Sequence, residues 1–506
     1  MEGDGVRHLY ALRMKRGPLI ALGIAAAARA LPAIFGFEHY GDAPVRIELA
    51  ERWAKAPHLW HGFVEAYQYG PLHLTLIGAL IRLGLDRVAA ARALSLVCGL
   101  AGIWLLYLIA ERERGPEAAF WAALGLAFSP LHIQASATGA SEAPFLVFFL
   151  AALFCLLEDR AALAALLLGA AGLIRYDGWM YLPLFGALLY LRGLSSGPPA
   201  MPALAGGRAL AAWRALGFCA LAAAPALFWM WLNARYAGDA LAPLHRIDQD
   251  HRALAEMAQH YFGKARWRLY GLVYWPVAVL GIATPVLGAL ALWGSARALR
   301  RRQPGWELAA LAWLPALYFT FRTSVLGDFR PMARFALVAA ALSLVFAHDV
   351  LLSVARAWRR PLLYACIALL IATPLALAAV SYGDDGNLAE WARPLSPIGS
   401  LPPGLAEASR FVRKTARPDD VFLLDGVWNY LDIPLAFAAD LPERQWVRAA
   451  WADEFEDRLA RTTPTRAVLI YQGKLGDWRQ DIFVFRGLRF CKEARFSYAT
   501  VYRRCD

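Results

Sequence analysis

Asp42 stands in the stretch Phe37-Glu38-His39-Tyr40-Gly41-Asp42-Ala43-Pro44, just past a long apolar run and just before an amphipathic segment that carries Arg46. A carboxylate delivered to a membrane surface in this way can take a proton from a hydroxyl, and arginines can hold a phosphate through paired hydrogen bonds. Other ionisable groups recur at the ends of apolar runs. They lie in Ser141-Glu142-Ala143-Pro144, in Arg175-Tyr176-Asp177-Gly178-Trp179, and in Gly327-Asp328-Phe329-Arg330-Pro331 with Arg334. Tyr67-Gln68-Tyr69-Gly70-Pro71-Leu72 opens a further short apolar stretch. Ionisable groups at helix ends facing a common cavity are functional candidates in a membrane protein.

Such a set is sufficient for sugar transfer from a lipid phosphate. The phosphate leaves as a stable anion, so a strong general acid is unnecessary, unlike the paired carboxylates of a glycosidase. Asp42 and Glu142 are the catalytic candidates, with Asp42 as the base. Arg46, Tyr69, Arg175, Asp177, Arg330 and Arg334 are the substrate-binding candidates. Glu142 would orient the acceptor or hold a divalent metal through oxygen, so a metal is compatible with these residues although no cofactor is required by them. His58 and His61 lack metal-ligand spacing and read as surface residues, and Asp384-Asp385 reads as a solvated turn. Tyr40, Tyr67, Tyr69 and Trp179 suit an interfacial aromatic belt better than a sugar platform.

The elements that must position these groups are membrane helices. The chain is 59% hydrophobic and 18% charged, with a mean hydropathy of +0.40. A soluble protein of this length needs more polar surface, so the expectation is a polytopic α-helical membrane protein. The net charge of +12 is scattered in short clusters between apolar runs, which excludes a nucleic-acid partner and points to membrane lipids. Runs of spanning length number about eleven, from Pro18–Phe35 to Leu362–Val380, with Ala118–Ala137, Leu269–Trp293 and Phe335–Leu352 among them. Gly70–Leu85, interrupted by His73 and Arg82, reads as a juxtamembrane helix rather than a span. Arg13, Lys15 and Arg16, then Arg112 and Arg114, Arg297 and Arg300 to Arg302, and Arg356, Arg359 and Arg360 then all fall on one side. By the positive-inside rule that side is cytoplasmic, as is the N-terminus, and Asp42 is outside. A cleaved signal peptide is the alternative for the first run, but its length favours an anchor. Asn233–Arg268 is expected to be a long basic outer loop that closes over the cavity.

After Val380 the composition changes. Residues 1–380 form the expected transmembrane catalytic domain, 381–403 a turn- and Pro-rich linker, and 404–506 an extracytoplasmic α/β domain. Its elements are a helix over Leu405–Thr415, a strand over Val421–Leu424, a helix over Asp453–Arg461 and strands over Ala467–Tyr471, Ile482–Phe485 and Tyr498–Tyr502. An odd number of spans puts this domain outside, where Cys491 and Cys505 are a candidate disulfide pair, two free thiols being the alternative.

The order of these motifs resembles the GT-C superfamily of integral membrane glycosyltransferases. The closest resemblance is to bacterial relatives of protein O-mannosyltransferases and to the aminoarabinose transferase that modifies lipid A. It covers the first 190 residues or so, and then the general architecture. The resemblance implies that Asp42 is the catalytic acid of the outer loop, Glu142 the second acidic position and Arg175 the basic residue after the fifth helix. It also implies a polyprenyl-phosphate-linked sugar donor. Where some relatives carry a Lys-Pro step this chain has Tyr69-Gly70-Pro71, so a lysine contact to the donor phosphate is missing and Arg46 is its expected substitute. A Trp-Trp-Asp sequon-reading motif is absent, which argues against glycan transfer to asparagine. The expected activity is inverting transfer to a lipid, glycan or protein hydroxyl on the outer face of the cell membrane. A flippase or transporter of a phosphate-bearing lipid, and a surface-glycan ligase or polymerase, are the alternatives.

Overall fold

The computed structural model describes residues 2–60, 69–195, 205–381, 393–426, 431–449, 452–471 and 473–506. Tyr67, Gln68, His61, Asp384, Asp385 and much of the expected linker lie outside the described residues. Five helices are long and apolar enough to cross a membrane, or up to seven when two bent pairs each count as one span. They include α1 (Glu2–Phe35) and, after the short helices α2 (Ala43–Lys55) and α3 (Pro71–Arg82), the long α4 (Arg87–Arg114).

One bent pair shows how a broken helix is tolerated in apolar surroundings. The run Ala118–Ala137 folds as α5 (Pro116–Ala127) and α6 (Pro130–Ala137), inclined at 62°. Pro130 has no N–H to donate, so carbonyls at the end of α5 lose their helical partners, a cost of several kcal/mol each if left bare. Arg29 of α1, fully buried, donates to the carbonyl of Ala127 at 3.0 Å and meets His132 Nδ1 at 2.7 Å. An intramembrane arginine that reads as a functional anomaly thus repairs the break.

The bundle continues through α7 (Glu142–Leu157), α8 (Ala161–Ile174), α9 (Tyr181–Ser195) and α10 (Ala205–Ala237). Two sequence expectations then change. The segment Asn233–Arg268 is helical rather than a loop, with α11 over Ala242–Phe262. The apolar run Leu269–Trp293 is two helices, α12 (Lys264–Ile282) and α13 (Pro285–Arg301). Thr284 takes a φ of +65° and Pro285 follows it, so the helix cannot continue. The two halves fold back on each other: a Cβ at Gly288 would lie 2.9 Å from Leu280 Cα. An odd count of spans therefore cannot place the C-terminal part. Helices α14 (Trp306–Phe321), α15 (Leu337–Leu344), α16 (Ala347–Ser353) and α17 (Arg356–Ser381) complete the bundle.

The C-terminal part is built on a six-stranded sheet of order β2-β1-β3-β6-β5-β4. β1 (Phe422–Leu424), β2 (Trp446–Arg448) and β3 (Arg466–Ile470) are parallel, with helices at Asp432–Ala438 and Ala452–Leu459 making the crossovers that parallel pairing requires. β4 (Ile482–Phe485), β5 (Leu488–Arg495) and β6 (Ala499–Arg504) add an antiparallel half. Cys491 and Cys505 form a disulfide that ties β5 to the residues after β6.

This sheet unit is fused to the membrane bundle through α2. Val45, Leu49, Tyr69 and Leu74 share one apolar core with Leu405, Phe422, Ile433, Leu435 and Trp446. Beside that core, Arg448 at the end of β2 lies 3.7 Å from Glu48 and also pairs with Asp432. All three are buried, Asp432 completely. Arg87 adds a bond to Glu51 at 2.7 Å and one to the Leu441 carbonyl at 2.8 Å. Removing one member of a buried ion pair strands the other, so Arg448→Met should cost about 3–5 kcal/mol of stability. Thermal unfolding of the purified protein measures this, and Arg448→Met combined with Asp432→Leu should recover part of the loss.

Candidate functional site

The loop that presents Asp42 is pinned from both sides by Glu38. One Glu38 oxygen accepts from the Gly139 N–H at 2.6 Å, the other from Arg92 Nε at 2.9 Å. Arg92 also donates to the carbonyls of Ala33 and Gly36, at the end of α1. Glu38 was not among the expected site residues, although it directly precedes His39 and stands four residues before Asp42. Gly41 then turns the chain with a φ of +49°, and a Cβ there would lie 3.1 Å from Arg334 Nη1. A side chain at this position would be strained and would crowd the arginine.

Asp42 occupies the N-cap position of α2, yet its side chain makes no capping hydrogen bond. Its Oδ2 instead accepts from Arg334 Nη1 at 3.0 Å. Burial alone would raise the Asp42 carboxyl, but Arg334, Arg46 and Arg175 outweigh it and hold the group below the usual carboxylate range. Glu142 begins α7 and is buried against Arg175, which reaches Asp177 at 3.0 Å and the Ser141 hydroxyl at 3.4 Å. Arg175 is therefore not a side chain reaching for the interface; it is held among carboxylates. Arg46, one turn into α2 and buried, lies over the Tyr69 ring at 4.6 Å.

Glycines make these approaches possible. A Cβ at Gly70 would lie 2.3 Å from the Leu173 carbonyl and 2.4 Å from that of Ile174. Only glycine lets the start of α3 meet the end of α8, and that meeting sets Tyr69 and Arg175 side by side. The Tyr176 hydroxyl closes the contact by donating to the Tyr69 carbonyl at 3.2 Å. Gly178 also packs on Gly172, where a Cβ would lie 2.9 Å from the Gly172 Cα, and this shapes the turn after Arg175. Tyr40 and Tyr69 are buried here and do not belong to an exposed aromatic belt.

The structure thus brings together Asp42, Arg46, Tyr69, Glu142, Arg175, Asp177 and Arg334. Arg330 is not among them; it is exposed and its charge acts on Tyr270 and Tyr274. The segment bearing Arg334 is tied to α11, because Arg322 binds both Asp248, at 2.5 Å, and Asp328, at 3.0 Å. Gln259 donates to the Gly327 carbonyl at 2.6 Å, and the His251 ring stacks on Phe329 at 4.2 Å. Among the described residues no three His, Cys, Asp or Glu side chains group to hold a metal ion.

Several polar atoms in this cluster have no hydrogen-bond partner among the described residues. They are the Tyr40 hydroxyl, Arg46 Nη1 and Arg334 Nε, all buried. Native proteins pair nearly all such atoms, so the cluster has hydrogen-bonding capacity left over.

Residues 68–229 match the family described as dolichyl-phosphate-mannose-protein mannosyltransferase. Among solved structures the chain is similar to ArnT from Cupriavidus metallidurans in the apo state, at 14% identity and a TM-score of 0.57, covering 98% of each chain. The same protein bound to undecaprenyl phosphate gives the same score and identity over 97% of each chain. AglB from Archaeoglobus fulgidus aligns at 15% identity over 90% of this chain and 69% of its own, with a TM-score of 0.46. A comparison with curated proteins gives no match. The matched segment is about a third of the chain, and over nearly its whole length the chain shares the fold of ArnT.

The lowered Asp42 carboxyl has a measurable sign. A group whose folded value lies below its unfolded one adds stability above the unfolded value and loses it as pH falls through the folded one. Asp42→Asn should therefore destabilise at neutral pH, and the gap from wild type should close below roughly pH 4. Thermal unfolding of the two proteins across that range tests it.

Proposed function

We propose that this protein moves a sugar from a polyprenyl-phosphate donor to a hydroxyl acceptor on the extracytoplasmic face of the membrane, inverting the anomeric centre. The observation that carries this reading is the Asp42 carboxylate. It is left uncapped at a helix start, held through one oxygen by Arg334 at 3.0 Å, and surrounded by further arginines. Among the described residues its other oxygen receives no hydrogen bond, so that oxygen is available to a substrate proton.

The acceptor oxygen attacks the anomeric carbon from the face opposite the phosphate. As the new C–O bond forms, the hydroxyl proton passes to Asp42, and the sugar–phosphate C–O bond breaks with its electron pair going to the lipid phosphate. Arg46, Arg175 and Arg334 stabilise the charge that develops there, where fixed cations in a desolvated site act strongly. Glu142 and Asp177 hold Arg175 in place, and in this reading Glu142 also orients the acceptor. An extracytoplasmic site does not meet nucleotide-sugars, which favours a lipid-borne donor. The similarity to a structure bound to undecaprenyl phosphate supports the same donor class. Sheet domain and Asp42 belong to one side because α2 joins them, whatever the number of spans.

Removing a positioned general base lowers rate by about 10²–10⁴-fold. Asp42→Asn should lose transfer to that extent per inserted, folded molecule, well beyond any fall in the folded level. Mass spectrometry of lipid-linked sugars and envelope glycans should show donor accumulating and product missing in a deletion strain, restored by wild type and not by Asp42→Asn. Full restoration by the variant would remove Asp42 from the chemistry.

A further inference from the structure

The surface loop that follows β3 is held in one shape from within. Asp425, just past β1 and fully buried, accepts from the N–H groups of Lys474 at 2.7 Å, Leu475 at 2.9 Å and Ile470 at 3.3 Å. A Cβ at Gly473 would overlap the Asp425 carboxylate, so the loop is drawn tightly around it. Further along, the Trp478 carbonyl accepts from the Thr500 hydroxyl at 2.6 Å, and the Gln480 carbonyl from the Tyr502 hydroxyl at 2.8 Å. Burying a carboxylate is costly, and here it fixes the backbone of an exposed segment. A surface fixed in advance loses less freedom when it binds.

What this loop presents is aromatic and cationic. The Tyr471 ring, 43% exposed, meets the Trp478 ring at 6.5 Å and the Tyr498 ring at 5.6 Å between centroids. Trp478 rests on the core of one face of the sheet and Tyr498 on that of the other, and both stay partly open. The Arg479 guanidinium lies 5.4 Å from the Trp478 ring centre. Arg479 and Lys474 are exposed, and neither has an ion pair among the described residues. Asp477, the only acid between Tyr471 and Gln480, accepts from the Arg479 backbone N–H at 2.9 Å.

Residues 399–404 join this surface to the loop that bears Asp42. The Gly399 carbonyl accepts from the Phe37 N–H at 2.9 Å, and the Ser400 carbonyl meets His39 Nδ1 at 2.7 Å. Gly404 packs on the backbone of Ser497 and Tyr498. The stretch from Gly399 to Gly404 covers at most about 18 Å even when fully extended. One short oligosaccharide can therefore touch the rings and reach the Asp42 loop.

We propose that Tyr471, Trp478 and Tyr498, with Lys474 and Arg479, form a docking site for an acid-bearing saccharide, the distal part of a glycan acceptor. A pyranose has an apolar C–H face that an aromatic ring can desolvate, and hydroxyls at its rim that suit the tyrosine hydroxyls. A carboxylate or phosphate on the sugar takes the charge of Arg479 and Lys474. The proposal rests on the reading of the protein as an outer-face sugar transferase, and it names the class of acceptor.

A printed array of acidic and neutral oligosaccharides, probed with the purified full-length protein in detergent, tests the site. Saccharides bearing a uronate or a phosphate should bind about tenfold more tightly than neutral counterparts, the worth of one charge-assisted hydrogen bond. In calorimetry with the strongest binder, Tyr471→Ala should lose about fivefold in affinity and Tyr471→Trp much less. Lys474→Gln with Arg479→Gln should erase the preference for the acidic form. These side chains are exposed, so melting temperatures should match wild type. In a deletion strain, Tyr471→Ala with Arg479→Gln should restore less envelope product than wild type at equal protein level. An array that retains no acidic saccharide, or unchanged affinity in the folded variants, would overturn the site and leave the transferase reading standing. Full restoration of product by Asp42→Asn would overturn the transferase reading and the acceptor role with it, while saccharide binding would stand. Quenching of a fluorophore on Tyr471→Cys by nitroxide-labelled lipid in nanodiscs would show the rings seated on the bilayer, and the saccharide assignment would fail.

Discussion

An ion pair between residues 292 positions apart holds this site together: Arg334 on Asp42. Every other element of the cluster is arranged around it. Gly41 clears space for the guanidinium, Glu38 anchors the loop that carries the carboxylate, and α11 steadies the segment that carries the arginine. Without the pair, a carboxylate and a guanidinium, both largely withdrawn from water, would each be left uncompensated. The pair also leaves the acid ionised, which a proton acceptor requires.

Much of this was legible in the sequence, and for a clear reason. Ionisable groups are so costly in an apolar chain that their presence at the ends of apolar runs is itself informative, and this is how Asp42, Glu142, Arg175 and Arg334 stand out. The sheet domain was legible from its alternation and turns; the strand at Leu488–Arg495 and the short strand at Trp446–Arg448 were too polar or too brief to detect. The hairpin at Thr284-Pro285 was hidden because hydropathy averages over a backbone break, although the proline was a usable signal. The pairing of Arg334 with Asp42 was not legible, because pairing across distant segments is not written locally.

Helix α2 carries two loads on its thirteen residues. Its start bears Asp42 and Arg46, and its middle bears Val45, Glu48 and Leu49, which are buried against the sheet domain. At about 1.5 Å per residue, the carboxylate and Glu48 are roughly 9 Å apart along a stiff rod. The sheet domain is thus a structural support of the reacting loop, and the buried Glu48–Arg448–Asp432 group fixes the angle at which the rod is held.

Backbone oxygens of α8 fill the volume in which any side chain at Gly70 would begin. A larger residue there would push α8 away from α3 and carry Arg175 with it, so this uncharged position governs the electrostatics around Asp42 as firmly as any of the charged ones.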